Sequence, residues 1–111
     1  MPRYNLIALT NCEAGREDEF NDWYTNVHLA DVLKLPGVVA AQRFELNEVQ
    51  HRQGQMPWGF MAVYEIDIDD VSETLSELRA VSGTDAMPLS PALKDERMVW
   101  IYRPISDRVT G

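Results

Sequence analysis

His28 is the residue of this chain that is best suited to acid–base chemistry. It is one of only two histidines, and it closely follows the aromatic pair Trp23 and Tyr24. Histidine is the side chain whose unperturbed pKa falls between pH 5 and 8, so His28 could transfer a proton in an apolar pocket. The alternative is a histidine at a helix end that bonds a backbone carbonyl or is favoured by the helix dipole.

Two polar residues lie within one helical turn of His28. Asp31, three residues later, could contact His28 on a helix and orient the imidazole, or it could cap a new short turn. Tyr24, one turn earlier, could donate its phenolic hydrogen to a substrate carbonyl, or it could be a core residue with a hydrated hydroxyl. His28 and Tyr24 are therefore the candidate catalytic residues, and Asp31 is a candidate substrate-binding residue.

Three further candidates for substrate binding lie in predicted strands. Arg43 is a charge in the middle of an apolar strand, so it needs a partner, either an anionic substrate or a neighbouring glutamate such as Glu45 or Glu65. Tyr64 and Trp100 would line a cavity if they face it, but their positions in the strands do not decide which sheet face they occupy.

The totals exclude several classes of protein. A chain of 111 residues suits a single domain, residues 1–111. Ten basic against 18 acidic residues give a net charge of −8, which argues against a nucleic-acid partner. One cysteine, Cys12, and two histidines are too few for an internal disulfide or a closed zinc site, and we expect no cofactor. Without a membrane-spanning run or an apolar N-terminal leader, we expect a cytoplasmic protein that does not bind membranes.

Hydrophobic spacing predicts the order strand, helix, strand, strand, helix, strand. The strands are expected at 3–10, 38–46, 58–66 and 97–103. The first helix opens at Arg16, and the second follows a capping box formed by Asp70 and Glu73. Right-handed crossovers place both helices on one face of a four-stranded antiparallel sheet. The predicted fold is the ferredoxin-like βαββαβ sandwich of the α+β class.

The first helix cannot continue in one register. Phe20, Trp23, Tyr24 and Val27 follow helical spacing, but the same spacing would then place Asp31 in the middle of the apolar face. A bend near His28 followed by a short new turn would resolve this conflict, and the Pro36–Gly37 pair would end the helix.

The predicted strands are apolar on both faces, although two helices can cover only one. Leu6 to Leu9 and Phe60 to Tyr64 are unbroken apolar runs, as is Met98 to Tyr102. A sheet with one hydrated face should alternate instead. We therefore expect a homodimer that stacks the open sheet faces of two identical subunits, with a cavity between them lined by whichever of Tyr64, Trp100 and Tyr102 face inward.

The first helix resembles that of a known group of proteins. Its pattern is F-x-x-W-Y-x-x-V-H-x-x-x-V-x-x-x-P-G, formed by Phe20, Trp23, Tyr24, Val27, His28, Val32, Pro36 and Gly37. With the element order and the doubly apolar sheet, it resembles the dimeric α+β barrel superfamily, and within it the EthD-like branch. The resemblance covers roughly residues 3–104. It implies the fold, a homodimer and a pocket for a small molecule, and it implies a reaction only weakly because one fold hosts many functions.

Two functions follow as hypotheses. The first is a cofactor-independent enzyme of catabolism or secondary metabolism, of the isomerase, cyclase or monooxygenase type. It would use a pocket between the sheet and the first helix, with His28 as proton shuttle and a hydrophobic or aromatic substrate. The alternative is a non-catalytic small-molecule-binding or accessory protein of a degradation pathway. A third hypothesis is a haem-linked relative. It is weakened because only two histidines, His28 and His51, could ligate iron.

Overall fold

The structure, a computed structural model, describes residues 3–111. Met1 and Pro2, on which part of the expectation of a leaderless N-terminus rests, lie outside the described residues. Four strands, three α-helices and one π-helical turn follow the predicted order: β1 (Tyr4–Thr10), α1 (Glu17–Trp23), the π-turn (Tyr24–His28), α2 (Leu29–Leu33), β2 (Val38–Glu45), β3 (Phe60–Ile66), α3 (Val71–Val81) and β4 (Met98–Tyr102). No helix among residues 3–111 is both long enough and apolar enough to span a bilayer.

The strands form one antiparallel sheet in the order β2-β3-β1-β4. The two helical segments connect β1 to β2 and β3 to β4, so the sheet has the crossovers of the predicted ferredoxin-like βαββαβ fold. The prediction of fold class from sequence is therefore confirmed.

Strand register assigns each residue to one sheet face. Leu6 pairs with Tyr64 and with Ile101, and Ala8 pairs with Ala62 and Val99. Because alternate residues point to opposite faces, these side chains share the face that the helices cover. The same pairing places Ile7, Val63 and Trp100 together on the other face, which we call the open face.

The predicted bend near His28 is replaced by a π-turn within one continuous helical segment. Leu29 keeps right-handed helical angles, with φ −58° and ψ −42°, so the chain does not stop and restart. One residue is accommodated in the wider turn, and the helix face rotates by about 100°. The buried positions become Phe20, Tyr24, Val32 and Leu35, whereas Val27, predicted on the apolar face, is 41% exposed.

The turn after α2 fixes the position of α3. Thr74 is fully buried, and its hydroxyl donates to the carbonyl of Pro36 at 2.7 Å. Gly37 has φ +79°, and a Cβ built there would lie 2.7 Å from Cβ of Ile68. The predicted cap of α3 is present in part, since the Asp70 carboxylate accepts from the backbone N–H of Ser72.

Substituting Gly37 by alanine tests this close approach. Gly37→Ala adds both left-handed backbone strain and a clash with Ile68, so we expect the free energy of unfolding to fall by roughly 2–4 kcal/mol. Gly83→Ala is the matched control, because Gly83 has φ +81° with nothing within 4 Å of its added Cβ. It should cost only the strain, about 1 kcal/mol. Chemical denaturation measures both, and equal losses would contradict the packing role of Gly37.

Candidate functional site

A cavity of about 350 Å³ lies between the sheet and the helices. Its volume falls within the range of small-molecule sites in proteins. The sheet lines it with Leu6, Ala8, Thr10, Tyr64 and Val99. The helical segments line it with Tyr24, His28, Val32, Leu75, Leu78 and Arg79. The segment that connects α3 to β4 lines it with Ser82, Leu89, Leu93 and Arg97. Tyr64 lines this cavity on the helix face of a single chain, so it does not face the open side of the sheet, where a cavity between subunits was expected.

The π-turn places three side chains on the cavity wall. Tyr24, His28 and Val32 are spaced by four residues each, and all three line the cavity. In an uninterrupted α-helix, side chains spaced by four residues turn progressively away from the sheet over eight residues. The wider π-turn keeps this row of three side chains aligned with the cavity. The register break visible in the sequence is therefore the feature that brings His28 to the cavity.

Aromatic rings hold the His28 imidazole. The Trp23 ring stacks on it with centroids 4.7 Å apart, and the Tyr24 ring meets it edge-on at 4.8 Å. Trp23 is itself fixed, because its indole N–H donates to the carbonyl of Pro88 at 3.1 Å. The Nδ1 atom of His28 is buried and has no hydrogen-bond partner within the described chain. Such a buried polar atom is costly unless a ligand or water satisfies it.

Burial controls the protonation of His28. Loss of hydration lowers the pKa of His28 to about 4; the Asp31 carboxylate opposes this shift, and the positive charges of Arg97 and Arg43 add to it. The imidazole is therefore neutral at pH 7, so it can accept a proton.

Asp31 lies beside the histidine without bonding to it. Its Oδ2 atom is buried and unpartnered among the described residues, and its Oδ1 atom is 3.8 Å from Nζ of Lys34. Asp31 does not act as the cap of a new turn, since α2 follows the π-turn directly and His28 precedes its first residue. Its influence on His28 is electrostatic.

Two phenols meet at the inner wall of the cavity. The Tyr64 hydroxyl donates to the Tyr24 hydroxyl at 3.3 Å, a long and therefore weak bond. The side chains are only 2% and 3% exposed. Burial raises the pKa of both hydroxyls, so both phenols stay protonated. The Tyr24 hydroxyl keeps its own hydrogen, which it can donate to a ligand oxygen.

Arg43 lies behind this wall and does not line the cavity. Its guanidinium is 4.6 Å from the centroid of the Tyr24 ring, and it donates to Oδ1 of Asn21 and Oγ1 of Thr25, each at 2.8 Å. The expected ion pair with Glu45 or Glu65 does not form. Residues of the first helix satisfy Arg43 instead, and its burial lowers the pKa of the guanidinium.

Trp100 lies away from the cavity. Its pairing with Ile7 places it on the open face, where it is 52% exposed. Tyr64, by contrast, faces the helices, so the two aromatic residues that the sequence left unassigned occupy opposite faces. Of the six candidates, His28, Tyr24 and Tyr64 line the cavity, Asp31 and Arg43 flank them, and Trp100 does not contribute.

Two arginines on the cavity wall were not among the candidates. Arg79 lines the cavity from α3, and Arg97 from the residue before β4. A signal for Arg79 was present, because Leu75, Leu78 and Arg79 follow the spacing i, i+3, i+4 and therefore share one helix face. For the described part of the chain, no cluster of three or more His, Cys, Asp or Glu side chains could hold a metal ion.

Comparison with known proteins identifies the fold. No family model matches the sequence, and no curated protein matches it. An EthD family protein from Bacillus halodurans matches with a TM-score of 0.62 and 22% identity, over 93% of this chain and 99% of that one. HapK from Hahella chejuensis matches with a TM-score of 0.63 and 19% identity, over 97% and 99%.

A third solved structure is that of MhuD, a haem degrader from Mycobacterium tuberculosis with two haems bound in its active site. It matches with a TM-score of 0.66 and 13% identity, over 96% of this chain and 99% of that one. At these identities the likeness shows the fold alone. The EthD family protein among the three agrees with the resemblance seen in the first helix, and the chain shares its ferredoxin-like fold with these structures.

Proposed function

We propose that the protein is a cofactor-independent enzyme that moves a proton on a small apolar molecule bound in this cavity. The observation that carries the proposal is the neutral, unpartnered imidazole of His28 on the wall of an apolar cavity of about 350 Å³. A neutral imidazole on a cavity wall is placed to accept a proton from a bound molecule. The haem degrader of the same fold supports a small-molecule function.

The wall residues fit an isomerase, cyclase or oxygenase step that begins with proton removal. Neutral His28 would take a proton from carbon next to a carbonyl, or from a phenol, and later return it to another atom of the same substrate. The Tyr24 hydroxyl would donate to the oxygen on which negative charge develops.

Asp31 and Arg43 would act through other groups. The Asp31 charge favours the protonated imidazole, so it would stabilise the intermediate in which His28 carries the proton. Arg43 bonds two residues that precede the histidine, Asn21 and Thr25, and stacks on the Tyr24 ring. We assign to Arg43 the positioning of the π-turn, in place of the substrate contact predicted from the sequence.

A second candidate function is a binding protein without catalysis. It is favoured by the same His28 pKa of about 4, because a base that weak has little driving force for proton removal at pH 7. In that case the cavity would hold a hydrophobic metabolite, and His28 would serve only as a hydrogen-bond partner.

The open sheet face supports the proposed homodimer. Ile7, Leu9, Met61 and Val63 share it with the exposed residues Met98, Trp100 and Tyr102. An apolar sheet face of this kind is typical of a surface that a second protein covers. An identical subunit would cover it symmetrically and leave the cavity on the helix side of each chain.

The proton-transfer proposal predicts catalysed hydrogen exchange. We expect the protein in D₂O to accelerate deuterium incorporation next to the carbonyl of 2-tetralone, a two-ring ketone small enough for the cavity. His28→Gln should lower the accelerated rate on the order of 100-fold, because the base is removed. NMR of the ketone measures the exchange. His51→Gln is the control and should retain the rate; an unchanged rate in His28→Gln, or none in either protein, would favour the binding function.

The buried histidine also predicts a pH dependence of stability. The folded pKa lies below the unfolded value near 6.5, so the unfolded chain binds the proton first as the pH falls. Neutral His28 makes its full contribution to the free energy of unfolding above pH 6.5. This contribution is lost progressively as the pH falls from 6.5 to about 4. Between pH 7 and 4.5, we expect wild type to lose roughly 2 kcal/mol more than His28→Gln. Urea denaturation at both pH values measures this, and equal losses would show that His28 is hydrated.

The homodimer predicts a mass change on one substitution. Light scattering should give twice the chain mass of 12.7 kDa for wild type and a single chain mass for Trp100→Glu, since a carboxylate buried in an apolar interface is left unpaired. Val27→Glu, at a helix position that is similarly exposed, should remain dimeric. A monomeric wild type would contradict the proposed interface.

A further inference from the structure

Arg79 and Arg97 give the cavity a charge opposite to that of the rest of the molecule. The chain has 18 acidic and 10 basic residues, yet no aspartate or glutamate is among the residues that line the cavity. Both of its charged side chains are arginines. They are exposed, whereas Tyr24 and Tyr64 are buried, so the arginines form the rim and the phenols form the floor.

Neither arginine is neutralised by a carboxylate within residues 3–111. The ion pairs of the described chain involve Arg3, Arg16 and Lys34. The guanidinium of Arg97 donates one long hydrogen bond, 3.3 Å, to the carbonyl of Asp95. The guanidinium of Arg79 donates none within the described chain. In an acidic protein, two guanidinium groups without carboxylate partners at one cavity rim are the arrangement expected of an anion site.

The elements that carry the two arginines point them to the same space. Arg79 follows the inward stripe of α3 with Leu75 and Leu78, which also line the cavity. Val99 faces the helix side of the sheet. Because side chains two residues apart along a strand point to the same face, Arg97 points to the helix side as well. The apolar wall thus continues from the arginine rim down to His28 and Tyr24.

We infer that the substrate or ligand of this cavity is an apolar, cyclic or aromatic molecule that carries one carboxylate, which Arg79 and Arg97 bind at the rim. Its ring then lies against Leu75, Leu78 and Val99, and its reacting end reaches His28 and Tyr24. A carboxylate is favoured because a guanidinium fork matches its two oxygens. This inference rests on the proposed function of the cavity and adds the substrate class to it.

Calorimetric binding of a matched pair of probes tests the inference. 2-Naphthoate and 2-naphthamide share one ring system and differ in charge. We expect 2-naphthoate to bind wild type on the order of tenfold more tightly, and raising the salt concentration should weaken only its binding. Arg79→Gln and Arg97→Gln should each reduce the preference several-fold, whereas Arg52→Gln, an exposed arginine outside the cavity lining, should preserve it.

Two further variants keep the outcomes distinct. Arg79→Lys retains the charge and should restore part of the preference even if removal of the arginine disturbs α3. His28→Gln should keep the preference for 2-naphthoate, because the carboxylate lies at the rim. Equal binding of the two probes, or a preference that both glutamine variants retain, would overturn the inference while leaving the proton-transfer proposal intact. Failure of both probes to bind wild type would overturn the inference; the proton-transfer proposal is judged separately, by the 2-tetralone exchange.

Discussion

The site depends on one extra residue in the turn between Tyr24 and His28. A helix that packs on a sheet has to keep one row of side chains facing it, and over eight residues a regular α-helix drifts away from a row spaced by four. The π-turn removes that drift, so Tyr24, His28 and Val32 all line the cavity.

Holding this turn requires contacts from outside the helix. A π-turn weakens the regular backbone ladder, and such turns are found mostly where function selects them. Arg43 reaches from β2 to Asn21 and Thr25, and the Trp23 indole bonds the carbonyl of Pro88. The sheet and the loop before β4 therefore fix both sides of the histidine.

The fold could be predicted from the sequence because each element carried its own signal. Hydrophobic periodicity, the Pro36–Gly37 stop and the Asp70 cap identified both helical segments, and hydrophobic spacing identified the four strands. The register break in the first helix was also visible. The sequence could not tell whether the chain solves this break by a bend or by a π-turn. Both return the apolar side chains to one face, and they differ only in backbone geometry.

The parts of the site that could not be predicted depend on pairings between distant elements. Tyr64 and Trp100 lie in strands that are apolar on both faces, so only the register with β1 assigns them to opposite faces. The partners of Arg43 come from a helix about 20 residues earlier, not from neighbouring strand positions. Arg79 shares one face of α3 with Leu75 and Leu78, but only the packing of α3 on the sheet shows that this face reaches the cavity.

The most direct test of the account is a crystal structure of the protein soaked with 2-naphthoate. We expect the ring system between α3 and the sheet, the carboxylate at Arg79 and Arg97, and an ordered water in hydrogen-bond contact with the imidazole of His28. A cavity closed by its own side chains, with Nδ1 of His28 bonded to a protein carbonyl, would show that the histidine is a structural residue and would contradict the account.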